Sequence, residues 1–506
     1  MPIFKSIQPR NFIYMRYSYL FPIVFLFMTA CSEDFLEQPP RAALTVGSFP
    51  VTANDAVLAT NGAYNSLRAW QLGTGGFPIL DIMADDVTKG SNPGDGLAIR
   101  VYDNFEHTAT EGSLERWYKT VYEAIRRTNL VINEVPKIDM DAALRDRLVA
   151  EARFLRAYHY STLVRGFGAV PLVTDINPPL DLGRTPVDQI LNDLIYPDLE
   201  FALSILPERS GYAPEDLGRA TRGAARALLA RIKLFYGEYA DVEALTAAVI
   251  ASDEYALVPD FANVFPTTGE FNEASIFEIA ARPEVFGDGG NQYANTWGVR
   301  GTPNKGWGFG RPAYPWILDL ETRNDPRLDP SVLFLNEVID GVTIRGEGAT
   351  PDTIRENGQI VEIEAYNQKT WTPGTDTRSS FGHNRRIIRY ADVLLMHAEA
   401  LNENGKSAEA LVFLNQVRAR ARGENPDVLP DITTTERDEL RDAILNERKY
   451  ELAFENHRFW DLVRTGRAEA VLGPLGFVKG KNELLPIPQS EVDISQGRIE
   501  QNPGYN

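Results

Sequence analysis

Cysteine occurs once in these 506 residues, histidine five times, and an extended basic run nowhere. With Cys31 alone, no disulfide can form within the chain, and the fold must be held by its core. The histidines, His107, His159, His383, His397 and His457, include no HExxH and no two at ligand spacing on one helix, which argues against a catalytic zinc. There is no Gly-x-Ser-x-Gly elbow of the hydrolase type. The GWGFG run, Gly306–Gly310, is too short for a phosphate-binding loop and lacks its Lys-Ser/Thr. A net charge of −19 without a basic footprint excludes a nucleic-acid partner.

What is there begins at the N-terminus. Lys5, Arg10 and Arg16 precede an apolar block that ends in the small residues Thr29 and Ala30, the order of an export signal. The block is short for a bilayer span, so an uncleaved membrane anchor is the weaker alternative. The stretch FMTACSEDFLEQPP, Phe27–Pro40, holds the lone cysteine. Its MTAC resembles a lipobox, with Met28 where Leu is commoner, and Ser32-Glu33-Asp34 resembles a signal for the outer face of an outer membrane. Cys31 is therefore expected to carry lipid. Acyl chains bury many methylenes at about 0.8 kcal/mol each, enough to hold a soluble domain on a membrane. Beyond that point, an apolar content of 43% with 10% aromatics is that of a packed globule.

Most of the chain reads as helix. Apolar residues recur at three and four positions in Ala53–Trp70, Leu114–Val135, Ala142–Val164, Val187–Leu206, Thr221–Tyr236 and Val242–Ile250, and again in Arg389–Asn404, Ser407–Arg422 and Thr434–Gly466. Short breaker-rich turns between them predict antiparallel helical hairpins. Ala150, Phe154 and Ala157 give the small-large-small spacing of a tetratricopeptide repeat. From about Pro259 to Arg385 the period vanishes and Gly, Pro, Asn and aromatics crowd in, with β-like runs at Ser275–Ala281 and Gln359–Glu364. Loops this long are functional or disordered, and their aromatic content argues against disorder.

Several long motifs then occur in one order: EARFLRAYHYSTLVRGFGAVPLV (Glu151–Val173), RYADVLLMHAEALNE (Arg389–Glu403), LNQVRARA (Leu414–Ala421), NERKYELAFENHRFWDLVRTG (Asn446–Gly466) and LLPIPQSEV with QNPGY near the end. Together with CSEDFLEQPP they resemble the SusD/RagB family of outer-membrane nutrient-binding lipoproteins. The resemblance implies a mainly α fold, a tetratricopeptide-like hairpin scaffold with a large irregular loop region and small β-hairpins. It implies a signal peptide over 1–30 and a SusD-like domain over 31–506, divided into helical 31–258, ligand-binding 259–385 and helical 386–506. It further implies glycan capture at the cell surface and delivery to a SusC-like TonB-dependent transporter, without a cofactor and without cleavage of the ligand. A peptide- or protein-capture lipoprotein and a glycoside hydrolase are the alternatives.

The site is expected on the loops, where aromatic rings can stack on the C–H face of a sugar while polar neighbours meet its hydroxyls. Trp297, Trp307, Tyr314, Trp316 and Trp371 are the platform candidates, with Trp70 and Tyr102 from N-terminal loops. Asn295, Asn304, Arg311 and the pair Asp85 and Asp86 are the polar candidates. The competing reading is that half of these aromatics plug the loops onto the scaffold. Trp117 and Trp460 lie on predicted helices and are expected in the core. Glu447, Glu451 and Glu455 are spaced one turn apart on a predicted helix, and are read as structural partners of nearby cations rather than as an acid/base pair across a cleft. Asp81, Asp85 and Asp86 gather oxygen ligands without a calcium-loop pattern, so calcium there is the alternative to no metal.

Overall fold

Thr52 starts the scaffold with a reciprocal cap. Its hydroxyl accepts from the Asp55 amide at 3.2 Å, and the Asp55 carboxylate accepts from the Thr52 amide at 2.9 Å. The helix it opens, α1 (Ala53–Ser66), is followed by α2 (Gly112–Glu134) and by α3 (Ala142–Phe167), whose Asp141 cap accepts from the Leu144 amide at 2.8 Å. The computed structural model describes residues 49–73, 81–179, 181–282, 290, 292–301, 306–348, 351–372 and 382–505. Cys31, Asn304 and the expected signal segment lie outside those residues.

The scaffold continues through α4 (Tyr196–Ile205), α5 (Arg222–Phe235) and α6 (Tyr239–Ile250), and resumes as α8 (Tyr390–Glu403), α9 (Ser407–Arg422) and α10 (Arg437–Glu451), the intervening α7 (Tyr314–Arg323) belonging to the loop region. Each helix packs on the next: α1 on α2, α2 on α3, α3 on α4, α4 on α5, α5 on α6, α6 on α8, then α8 on both α9 and α10. Because α6 meets α8 directly, the irregular middle is an excursion out of a tetratricopeptide-like array of hairpins. Ala150, Phe154 and Ala157 are fully buried, as the repeat spacing predicts, and so is Trp117, while Trp460 is 5% exposed.

The excursion is closed at its root. Strand β2 (Ser275–Ile279) pairs antiparallel with β10 (Arg385–Arg389), so the chain leaves and returns side by side. Phe154 of the scaffold packs edge-on against Phe277 of this ribbon, with ring centroids 4.9 Å apart. Other short pairs are β1 (Val87–Gly90) with β3 (Phe309–Pro312), β4 (Val332–Phe334) with β9 (Ala365–Asn367), β5 (Val338–Ile339) with β6 (Val342–Thr343), and β7 (Thr353–Glu356) with β8 (Gln359–Ile363).

The helix expected over Thr434–Gly466 is two helices, α10 and α11 (Arg458–Arg464), separated by a turn in which Phe454 and Asn456 take left-handed φ of 66° and 63°. The turn exposes backbone carbonyls to buried cations. Lys369 Nζ donates to Glu451 O at 3.2 Å and Ala453 O at 2.9 Å, and Arg389 Nη2 donates to Glu451 O at 3.0 Å. Glu455 therefore does not continue the helical face of Glu447 and Glu451.

Candidate functional site

The structure separates the expected site residues by what covers them. Tyr102 is fully buried in a helix, Leu97–Asp103, where it shares a hydrogen bond of 3.0 Å with Ser113 and stacks on His107 at 5.1 Å. Trp297 is 2% exposed and Asn295 fully buried. Trp316 is 1% exposed and packs on Phe454 at 4.8 Å. Trp371 lies in a small core with Val299, Leu333, Ile344 and Tyr366, and its indole donates to Asp340 Oδ2 at 2.7 Å. These side chains are covered in the structure, Trp316 by the turn at Phe454 and Trp371 by the core of the loops themselves.

Two polar expectations are likewise corrected. Arg311 is 3% exposed, lies over the Tyr366 ring at 5.0 Å and is surrounded by Glu347, Glu362 and Glu364. Asp85 accepts from Arg458 Nε at 2.6 Å and is 3.4 Å from Lys449 Nζ, while Asp86 is buried beneath β1. Burial alone would raise the Asp85 carboxyl, but Arg458 and Lys449 outweigh it and hold the group below its usual range. Burial, with the neighbouring Asp85 charge, pushes Asp86 up to about 7. Among the described residues no three His, Cys, Asp or Glu side chains converge in a metal-sized group.

Trp70, Trp307 and Tyr314 are half-buried and keep part of their surface open. They do not converge in any contact described. Trp70 begins a short helix, Trp70–Gly73, Tyr314 begins α7, and Trp307 lies in the loop before β3. Around Trp307 the described contacts form a polar cluster. Its amide donates to Asn295 O at 2.8 Å and its carbonyl accepts from Arg300 Nη1 at 3.0 Å. The same Nη1 donates to Ser91 Oγ and to Asp95 Oδ2, each at 2.6 Å, and Arg300 Nε pairs with Glu347 at 2.8 Å. Arg300 thereby ties the Trp307 loop to the turn KGSNPGDG, Lys89–Gly96. Lys89 Nζ holds that turn from inside, donating to Asn92 O at 3.0 Å and Asp95 O at 2.9 Å.

Close backbone approach makes this geometry possible. A Cβ at Gly310, where φ is 62°, would lie 1.7 Å from the Trp297 ring, and one at Gly90, where φ is 65°, would lie 2.6 Å from Gly308 O. Sequence reasoning missed Asn92, Asp95, Arg300 and Glu347. The turn composition of Lys89–Gly96 was a signal for the first two; nothing local marks Arg300 or Glu347, whose partners are distant in sequence. A separate cavity of about 680 Å³ lies between α1 and β2, lined by Asn65, Arg68, Leu217, Arg219 and others, and contains none of the loop aromatics.

The fold and these motifs agree with known proteins. A family model described as the SusD family matches residues 275–479, and one described as starch-binding associating with outer membrane matches residues 85–234. Over those two stretches the chain is similar to the SusD/RagB family. SusD-like protein P2 of Formosa agariphila is 28% identical, the match covering 97% of this chain and all of that one. SusD-like protein P25 of the same organism is 27% identical, over 97% of this chain and all of its own. Among solved structures, a laminarin binding SusD-like protein has a TM-score of 0.75 at 28% identity, covering 90% of this chain and 100% of that one. Surface glycan-binding protein A of Bacteroides thetaiotaomicron, solved with laminarihexaose, has a TM-score of 0.75 at 24% identity, over 89% of this chain and 100% of its own. The scaffold is helical and tetratricopeptide-like, as in the SusD-like structures. No described helix is long and apolar enough to cross a membrane.

Proposed function

We propose that this chain is a cell-surface lipoprotein that captures oligosaccharide on the Trp307 surface and delivers it to a SusC-like TonB-dependent transporter. The observation that carries the capture site is that the half-buried Trp307 lies in a loop whose carbonyl accepts from Arg300, the partner of Asp95, whose side chain is 41% exposed. An indole face packs on sugar C–H groups, while a carboxylate and a guanidinium accept and donate hydrogen bonds to hydroxyls. The starch-binding description of one matching family model and the laminarin binding of a structural relative support the glycan class. Trp70, Tyr314 and Asn304 stay as candidate contacts.

Capture needs no chemistry from the protein. The carboxylates nearest Trp307 are ion-paired with arginines, which suits binding rather than proton transfer. Cys31, acylated after removal of residues 1–30, is the proposed anchor at the outer face of the outer membrane, and residues 259–385 are the proposed ligand-binding region between two helical parts. The lipidated protein, purified in detergent and run through gels containing single polysaccharides, should be retarded by at least one of them. Retardation by none, with retention on immobilised peptides, would replace the glycan with a peptide ligand. Recovery of Cys31→Ala in membranes would remove the anchor.

A further inference from the structure

We infer that the Trp307 surface selects uncharged glycans and rejects those bearing carboxylate or sulfate groups. This rests on the reading of that surface as the capture site. Contacts bring three cations to the cluster, and all three are engaged. Arg311 is buried against Glu347, Glu362 and Glu364, at 3.7, 3.9 and 3.5 Å. Lys89, 7% exposed, directs its ammonium to two backbone carbonyls and lies 5.8 Å from the centre of the Phe309 ring. Arg300 spans Asp95 and Glu347 at 2.6 and 2.8 Å.

Among the described residues, four carboxylates stand against three cations. The asymmetry of exposure is larger than that of number. The Asp95 and Glu362 side chains are 41% and 37% exposed, whereas those of Arg300 and Arg311 are 28% and 3%. The charges that meet an approaching ligand are therefore carboxylates. An anionic group on a bound sugar would face them, and the partly exposed guanidinium, that of Arg300, is already shared between Asp95 and Glu347, which weakens what it offers against the cost of desolvation. A hydroxyl, which donates as readily as it accepts, suits the same surface. Selection of this kind works by repulsion as much as by attraction.

The test measures the full-length lipidated protein in detergent against laminarin, amylopectin and galactomannan, each native and each oxidised to the carboxylate at C6. The native form of the best-retained polysaccharide should bind at least about tenfold more tightly than its oxidised form at low salt, with the gap narrowing at high salt as screening grows. Asp95→Asn and Glu362→Gln should each narrow the gap several-fold. That ratio is a readout that general loss of structure does not move, since it would weaken both forms alike. Equal or tighter binding of the oxidised form overturns selectivity and leaves capture standing. Binding of no native polysaccharide overturns capture, and this inference with it.

Discussion

The helical scaffold and the excursion from it are built differently, one on repeating apolar faces and the other on irregular loops. Within the scaffold, α3 buries Ala150, Phe154, Leu155, Ala157 and Leu163 completely, beside a pair of Arg156 with Asp198 of α4 at 2.7 Å. The excursion meets the scaffold through apolar contact, as between Phe277 and Phe154, and through a dense set of buried charges. Arg327, fully buried, pairs with Asp325 at 2.7 Å and Glu447 at 2.5 Å, and Lys369 pairs with Glu455 at 2.8 Å. Glu451, also fully buried, is faced by Arg327, Arg389 and Arg420. Apolar packing tolerates many arrangements of similar volume, whereas a buried ion pair is favourable only in one geometry. Loops without regular hydrogen bonding gain from that constraint: the charges hold one placement of the excursion on the helices.

The comparison breaks most visibly under acid. Phe154→Ala removes a packed ring and should cost about 3–5 kcal/mol at any pH. Glu451→Ala removes the carboxylate that Arg327, Arg389 and Arg420 share and should cost about 3–5 kcal/mol at neutral pH. Burial alone would raise the Glu451 carboxyl, but Arg420, Arg389 and Arg327 outweigh it and bring it down to about 2. Its folded-state value lies below the ordinary glutamate value of 4.5, so its contribution is complete above that pH and is lost as pH falls toward 2. Denaturant unfolding at pH 7 and pH 3 should therefore show a constant deficit for Phe154→Ala and a shrinking one for Glu451→Ala. A deficit for Glu451→Ala that stays constant would place its role in packing. Asp86 has the opposite sign. Its folded-state value of about 7 lies above the ordinary aspartate value of 3.8, so stability is fully retained near pH 4 and falls as pH rises toward 7. In the same measurement Asp86→Asn should be near neutral at pH 4 and stabilising at pH 8, by up to about 4 kcal/mol at 1.36 kcal/mol per unit. No gain at pH 8 would mean that Asp86 has solvent or a donor in solution.

The two regions were also unequally legible. Helical period is a local property, and the end points of Ser407–Arg422 agree with those of α9, while the expected Ala142–Val164 extends only to Phe167. The break at 452–457 was hidden because its cause is distant: the carbonyls freed there are taken by Lys369 and Arg389. For the same reason helical spacing does not give the pairs that form. Glu455 pairs with Arg389 and Lys369, Arg458 with Asp85, and Asp461 with Arg448 and Arg464. Loop composition pointed to the region holding Trp307 but could not say which of its aromatics are covered. Burial of Trp297, Trp316 and Trp371 is decided by segments far away in sequence, including the turn at Phe454 and the strand β9.

The smallest expected effect is the one that separates binding from folding within the excursion itself. Trp307 and Trp316 stand nine residues apart in the same aromatic-rich stretch, yet one is half-exposed and the other 1% exposed against Phe454. Trp316→Ala should behave as a core deletion, losing about 3–5 kcal/mol of stability and weakening ligand retention only in proportion to the unfolded fraction. Trp307→Ala should leave the unfolding midpoint nearly unchanged and weaken glycan binding about tenfold, equivalent to about 1.4 kcal/mol. The pair is read in one experiment, unfolding curves beside affinity gels, because each variant is the other's control. If Trp307→Ala unfolds early and Trp316→Ala binds poorly while fully folded, the assignment of the two rings is reversed. The capture surface would then lie toward α7 and the Asp81–Asp86 turn, not beside Asp95 and Arg300.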